Sequence, residues 1–166
     1  KGTSYNNLLP FSTCSSTKIA MGDTKVAIDS MAQWARRYQH HTKALANDKF
    51  IHLPLTKLCK ALHSFLYHHL QYKIDGYDQL LRSPACAWAT RSEGLDCKSF
   101  SIFASATLLS CGVSHYLRRV KYEKEKGYSH VYVVVPKDQK THDLEKGYYV
   151  IDGTLKSTVE PSFSDS

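Results

Sequence analysis

The strongest constraint on this chain is a change of hydrophobic period part-way along it. Up to Cys111 the apolar residues recur at helical spacing, and beyond it they fall in short runs parted by turns. Asp23 is placed to cap a helix whose apolar face holds Ala27, Ile28, Met31, Trp34, Ala35, Tyr38 and Leu45. Pro54 opens a second helix with one continuous stripe, Leu55, Leu58, Cys59, Leu62, Phe65, Leu66 and His69, which makes Cys59 a core thiol. Residues 70–96 are turn-rich, with Ser83-Pro84 as the cap of a short helix through Trp88. A further helix follows Asp96, with Phe100, Phe103, Ala104, Thr107, Leu108 and Cys111 on its apolar face and Gly112 as its stop. Three strand-like runs come next: His115 to Tyr122, His130 to Val135 and Gly147 to Asp152. Polar turns separate them, as in an antiparallel meander. Helices first and strands afterwards predict an α+β domain.

A length of 166 residues suits one domain: residues 1–22, rich in Ser, Thr and Asn, read as an N-terminal arm or loop, and 23–166 as the folded unit. The formal net charge of +7 would suit an anionic partner. The basic residues are scattered, however, and the cluster Arg118, Arg119, Lys121, Lys124, Lys126 is broken by Tyr122, Glu123 and Glu125. Nucleic acid is therefore not the expected partner. Adjacent histidines, His40-His41 and His68-His69, point different ways on a helix, so no metal or other cofactor is expected. Five cysteines with no C-x-x-C pair match neither a disulfide framework nor a zinc pattern. Reduced thiols are the expectation, with Cys14 exposed, Cys86 near the cleft and Cys111 in the core. No apolar run approaches the roughly 18 residues that span a bilayer, and no signal-peptide core is visible. Since the chain begins with Lys, the compartment stays open, a cytoplasmic or virion-associated setting being favoured.

The segment that carries chemistry is Gly94-Leu95-Asp96-Cys97. A thiol attacks as its thiolate. The positive end of a helix dipole and a neighbouring imidazolium both favour that form, and Cys97 sits at a helix N-terminus. A third group must orient the histidine. Among nine histidines, His130 stands out because it opens the strand Val131 to Val135. Asp152 closes the next strand before Gly153, and the start of one antiparallel strand lies beside the end of its neighbour. Plainer roles exist for each: an inert buried thiol for Cys97, and a turn-forming Asp-Gly pair for Asp152. His63 and His115 read as surface or partly buried residues.

The stretches Gly94-Leu95-Asp96-Cys97-Lys98-Ser99-Phe100, Ser129-His130-Val131-Tyr132-Val133-Val134 and Tyr149-Val150-Ile151-Asp152-Gly153 together resemble the transglutaminase-like superfamily of papain-related cysteine proteases and acyl transferases. The lead-in Tyr72 to Asp75 with Ser83-Pro84 is similar too, so the likeness covers residues 64–155, closest to short bacterial and phage-related members. Leu95 departs from the pattern, since many members have Gly directly before the Asp-Cys pair. The resemblance implies a transglutaminase-like fold and a Cys97–His130–Asp152 triad. It also implies a thioester intermediate formed from a peptide or protein substrate, peptidoglycan peptides included. The backbone N–H of Cys97 and a side-chain donor, Gln71 first and Trp88 second, would hold the oxyanion. Hydrolysis is favoured over cross-linking, since nothing here suggests calcium sites. The alternative is a binding or structural module that keeps the fold without catalysis. Oligomeric state is not legible.

Overall fold

The helix that begins at Cys97 is the centre of the fold. In the computed structural model the described residues are 2–14, 17–18, 24–74, 80–122 and 127–166, with side chains described for all but 17–18 and 24–26. The elements are β1 (Thr17–Lys18), α1 (Thr24–Arg37), α2 (Lys43–Lys49), α3 (Leu55–His69), β2 (Leu80–Leu81), α4 (Pro84–Ala89) and α5 (Cys97–Ser110). They end with β3 (Tyr116–Val120), β4 (His130–Pro136) and β5 (Tyr148–Ile151). Every residue of α5 from Lys98 to Leu108 is buried, not one face alone. A helix enclosed on all sides needs small residues where neighbours come close. Ser99, Ser101, Ser105, Ala104 and Ala106 supply them, and α1, α2, α3, α4 and β4 all pack on it.

The three-stranded sheet has the order β3-β4-β5, antiparallel throughout, as the turn-separated runs predict. Its register pairs Arg118 with Tyr132 and Val133 with Ile151. Val133, Val135 and Ile151 face the main core with Leu62, Phe65, Leu66, Phe100 and Phe103. Val120, Tyr132 and Val134 form the other face, covered by Phe163 of the C-terminal segment. Glu160 clamps that segment by accepting from Arg118 at 3.0 Å and from the hydroxyls of Tyr132 and Tyr148. β1 and β2 make a separate two-stranded ladder.

Two expectations are corrected here. The first helix ends at Arg37 and does not run on to Leu45; a 3₁₀ turn over Gln39–Thr42 separates it from α2. The hydroxyls of Thr42 and Ser110 both donate to the Gln39 carbonyl, at 3.0 and 2.8 Å, so side chains take the acceptor that a continuing helix would use. Its expected cap, Asp23, lies outside the described residues. The described part of the expected N-terminal arm is docked: Thr3–Leu8 is a 3₁₀ helix whose Tyr5 and Leu8 pack on the main core, and Leu9 is buried. The second correction concerns thiols. Cys14 and Cys86 form a disulfide, and only Cys59, Cys97 and Cys111 are free. Burial pushes the Cys59 thiol up to about 12 and the Cys111 thiol to about 11, so both are inert.

The disulfide joins residues 72 apart in sequence. Closing a loop of that length in the unfolded chain corresponds to about 4 kcal/mol. The double variant Cys14→Ser/Cys86→Ser is therefore expected to lose about that much stability in guanidinium unfolding. A loss under about 1 kcal/mol would mean the bond contributes no such constraint. Disulfides persist in oxidising surroundings. Among the described residues no helix is long and apolar enough to cross a membrane.

Candidate active site

Cys97 is the first residue of α5, and Asp96 is its N-cap, with its side chain accepting from the Ser99 N–H at 3.3 Å. The other Asp96 oxygen pairs with Lys98, and both residues are almost wholly buried. Asp96 thus caps the helix while Lys98 offsets its charge one residue from the thiol. This pair was not singled out in the sequence; a short polar residue before a helix start was its only signal.

His130 opens β4, across from Val120 of β3. Continuing the β4–β5 register one step past Val133–Ile151 sets Asp152 opposite Tyr132, diagonal to His130. Diagonal neighbours are within reach of long side chains. The contact forms: His130 Nε2 lies 2.6 Å from Asp152 Oδ2. The same imidazole shares the cleft with the Cys97 thiol, and Nδ1 is the ring nitrogen that Asp152 leaves unengaged. Burial works against a charged imidazole, but the bond to Asp152 and the nearness of Asp152 and Cys97 outweigh it and raise His130 from 6.5 to about 10. For Asp152 burial works the other way, and the bonds and charge of His130 and the bonds from Thr154 hold its carboxyl below the usual range. Tyr122 stacks on the His130 ring with centroids 6.3 Å apart.

Supports that the sequence did not reveal hold Asp152 in place. Its Oδ1 accepts from the Thr154 N–H at 3.1 Å and the Thr154 hydroxyl at 2.6 Å. His63 on α3 is buried and not at the surface; its Nε2 lies 2.8 Å from the Leu155 carbonyl, pinning the turn after Asp152. Gly153 is required by a close approach: a Cβ there would sit 2.5 Å from Leu66 Cβ and 2.9 Å from Phe100 Cδ1. Gly153→Ala is expected to cost about 1–3 kcal/mol in denaturant unfolding through overpacking. Wild-type stability in that variant would show that the turn can shift freely.

Cys97 and His130 line an open cleft of about 460 Å³ together with Tyr72, Ile74, Tyr122, Ser129, Thr154 and Leu155, whereas Asp152 is not among the lining residues. Neither sequence candidate for a side-chain donor is in it. Gln71 is exposed, and its backbone carbonyl accepts from the Leu95 N–H. Trp88 is buried beside Phe65 and donates its indole N–H to Asn6 at 2.9 Å. Tyr72, one residue beyond Gln71, faces the cleft. Burial and the negative charge of Cys97, Asp152 and Asp96 raise its phenol, so the hydroxyl keeps its proton.

Among the described residues no three His, Cys, Asp or Glu side chains converge to hold a metal ion. The His40 and His41 rings do not diverge as expected; they meet edge to face at 4.5 Å within the 3₁₀ turn, and His41 Nδ1 accepts from the Ala85 N–H. His115 is partly buried, between Ser105 Oγ at 2.6 Å and the Val113 carbonyl at 2.9 Å.

No protein-family model matches the chain, and neither does any curated protein. Among solved structures it is similar to a protein from Cytophaga hutchinsonii proposed to be a cysteine protease, with a TM-score of 0.51 and 14% identity. The alignment covers 90% of this chain and 47% of that one, so the chain spans about half that structure's length. At this identity the likeness shows a shared α+β fold with a cysteine-protease-like neighbour.

Proposed function

We propose that this chain is a transglutaminase-like cysteine hydrolase that cleaves peptide-like amides with Cys97 as nucleophile, His130 as acid and base, and Asp152 as the group that orients His130. One observation carries the reading: the thiol at the N-terminus of α5 and the His130 imidazole line the same cleft, and behind them His130 Nε2 lies 2.6 Å from Asp152 Oδ2. The suggested activity of the Cytophaga hutchinsonii neighbour agrees with it.

The chemistry follows from the charges. The Cys97 thiolate attacks the amide carbonyl, forming the S–C bond, and His130 passes its proton to the departing nitrogen as the C–N bond breaks. The resulting thioester is attacked by water, whose proton returns to His130. The C–S bond then breaks, releasing the acid and regenerating the ion pair. Asp152 keeps Nε2–H engaged so that Nδ1 faces the sulfur and the incoming water. The oxyanion is held by the Cys97 backbone N–H and the Tyr72 hydroxyl, in place of the Gln71 or Trp88 donor suggested by the sequence.

Tyr72→Phe removes only that hydroxyl. It is expected to lower kcat on a peptide amide by about 10²–10³-fold with little change in KM. Unchanged kcat would exclude Tyr72 as the donor. Turnover itself is tested by incubating the protein with a mixed peptide library and reading new termini by mass spectrometry, with Cys97→Ala as control. Identical digests from the two would refute the reading.

A further inference from the structure

Three of the eight large hydrophobic side chains most exposed among the described residues, Tyr72, Ile74 and Leu155, line this one cleft. Ile74 is 77% exposed and Leu155 37%. Single exposed apolar residues are ordinary, but several converging beside a nucleophile mark a recognition surface. The charges in the same walls are spent on one another: Lys98 pairs with Asp96, and His130 with Asp152. The Thr154 hydroxyl is taken by Asp152. What remains for a substrate side chain, beside the hydroxyl-bearing Ser129 and Tyr122, is the apolar surface of Ile74 and Leu155, with no unpaired formal charge among the described lining residues.

Tyr72 and Ile74 lie two residues apart and both face the cleft. Ile74 is thus the apolar wall next to a carbonyl held by Tyr72. We propose, building on the cysteine-hydrolase reading, that the substrate is a peptide whose scissile carbonyl belongs to a bulky apolar residue, Leu- or Phe-like, seated between Ile74 and Leu155. Acidic and basic residues at that position are rejected because they would lose hydration with no partner among the described lining residues.

The test uses acetyl-Ala-Xaa chloromethyl ketones with Leu, Phe, Gly, Asp or Lys as Xaa, and iodoacetamide as a reagent without a side chain. Each ketone alkylates a thiolate by forming an S–CH₂ bond as chloride leaves. Labelling of Cys97 is followed by peptide mass spectrometry, and each rate is divided by that of the same reagent with free glutathione. The Leu and Phe ketones are expected to react at least about tenfold faster than the Gly, Asp and Lys ketones. Ile74→Asp is expected to bring the Leu-to-Gly ratio toward one and raise the Lys ketone's relative rate. Leu155→Ala should lower the Leu-to-Gly ratio without favouring Lys. Equal rates across the series, or faster Asp or Lys labelling, with iodoacetamide still modifying Cys97 readily, would overturn the substrate class and leave the nucleophile standing. Failure of every reagent at Cys97 would instead overturn the cysteine-hydrolase reading and this inference with it.

Discussion

Replacing Cys97 by Ala is expected to abolish amide hydrolysis, with a fall in kcat of at least about 10⁴-fold, because no other group in the cleft can form the thioester. The other free thiols cannot substitute. Cys59 is buried in the main core and Cys111 packs at its margin, with thiols pushed up to about 12 and 11 by burial. The fold should survive: Cys97 is only partly buried, and the cap on α5 comes from Asp96. Loss of the sulfur should cost no more than about 1 kcal/mol. Turnover measured beside a thermal melt separates the outcomes. A folded variant with retained turnover would remove Cys97 as the nucleophile.

The second large effect concerns Asp152. Asp152→Asn keeps the shape but replaces the acceptor of the His130 bond with an amide, which favours the wrong imidazole tautomer. Losses on the order of 10³–10⁴-fold in kcat are expected. The pH dependence carries more information. With His130 raised to about 10, the proton that it gives the departing nitrogen is held until the pH nears that value, so the alkaline limb of kcat/KM should lie near pH 10. Without the Asp152 charge and hydrogen bond, burial is less opposed, and the limb should move to lower pH. The same pair enters stability. A raised His130 contributes fully below pH 6.5, and its contribution is lost as the pH climbs to about 10. A depressed Asp152 contributes above its ordinary 3.8 and ceases to as the pH falls through its lower folded value. An unmoved alkaline limb in Asp152→Asn would assign that limb to a group other than His130.

The position of Cys97 was legible because a helix start leaves local marks: a small polar cap, then an apolar run ended by Gly112. His130 and Asp152 were legible because two neighbouring strands with a short connection have few ways to pair, and their ends carry the polar residues. What the sequence hid was of two kinds. Some features are long-range: nothing near Cys14 signals Cys86, nor does anything near His63 signal the Leu155 carbonyl. Others hinge on a single step. Gln71 and Tyr72 are adjacent in an extended segment, and adjacent side chains point to opposite faces, so a one-residue choice decides which reaches the cleft. Trp88 failed for a related reason. Its indole N–H needs a partner once buried, and the docked N-terminal segment supplies Asn6. The break after Arg37 was invisible because the hydroxyls that cause it, Thr42 and Ser110, meet only in the folded chain.

The most direct measurement is the native-state alkylation rate of each free cysteine by iodoacetamide, read by peptide mass spectrometry in the wild type and in His130→Ala. Cys97 is expected to be modified at least about tenfold faster than Cys59 and Cys111, since thiolate content and access govern the rate, and His130→Ala is expected to remove most of that advantage. Equal labelling of Cys97 and Cys111, or a Cys97 rate untouched by His130→Ala, would contradict the claim that Cys97 and His130 form a nucleophilic pair.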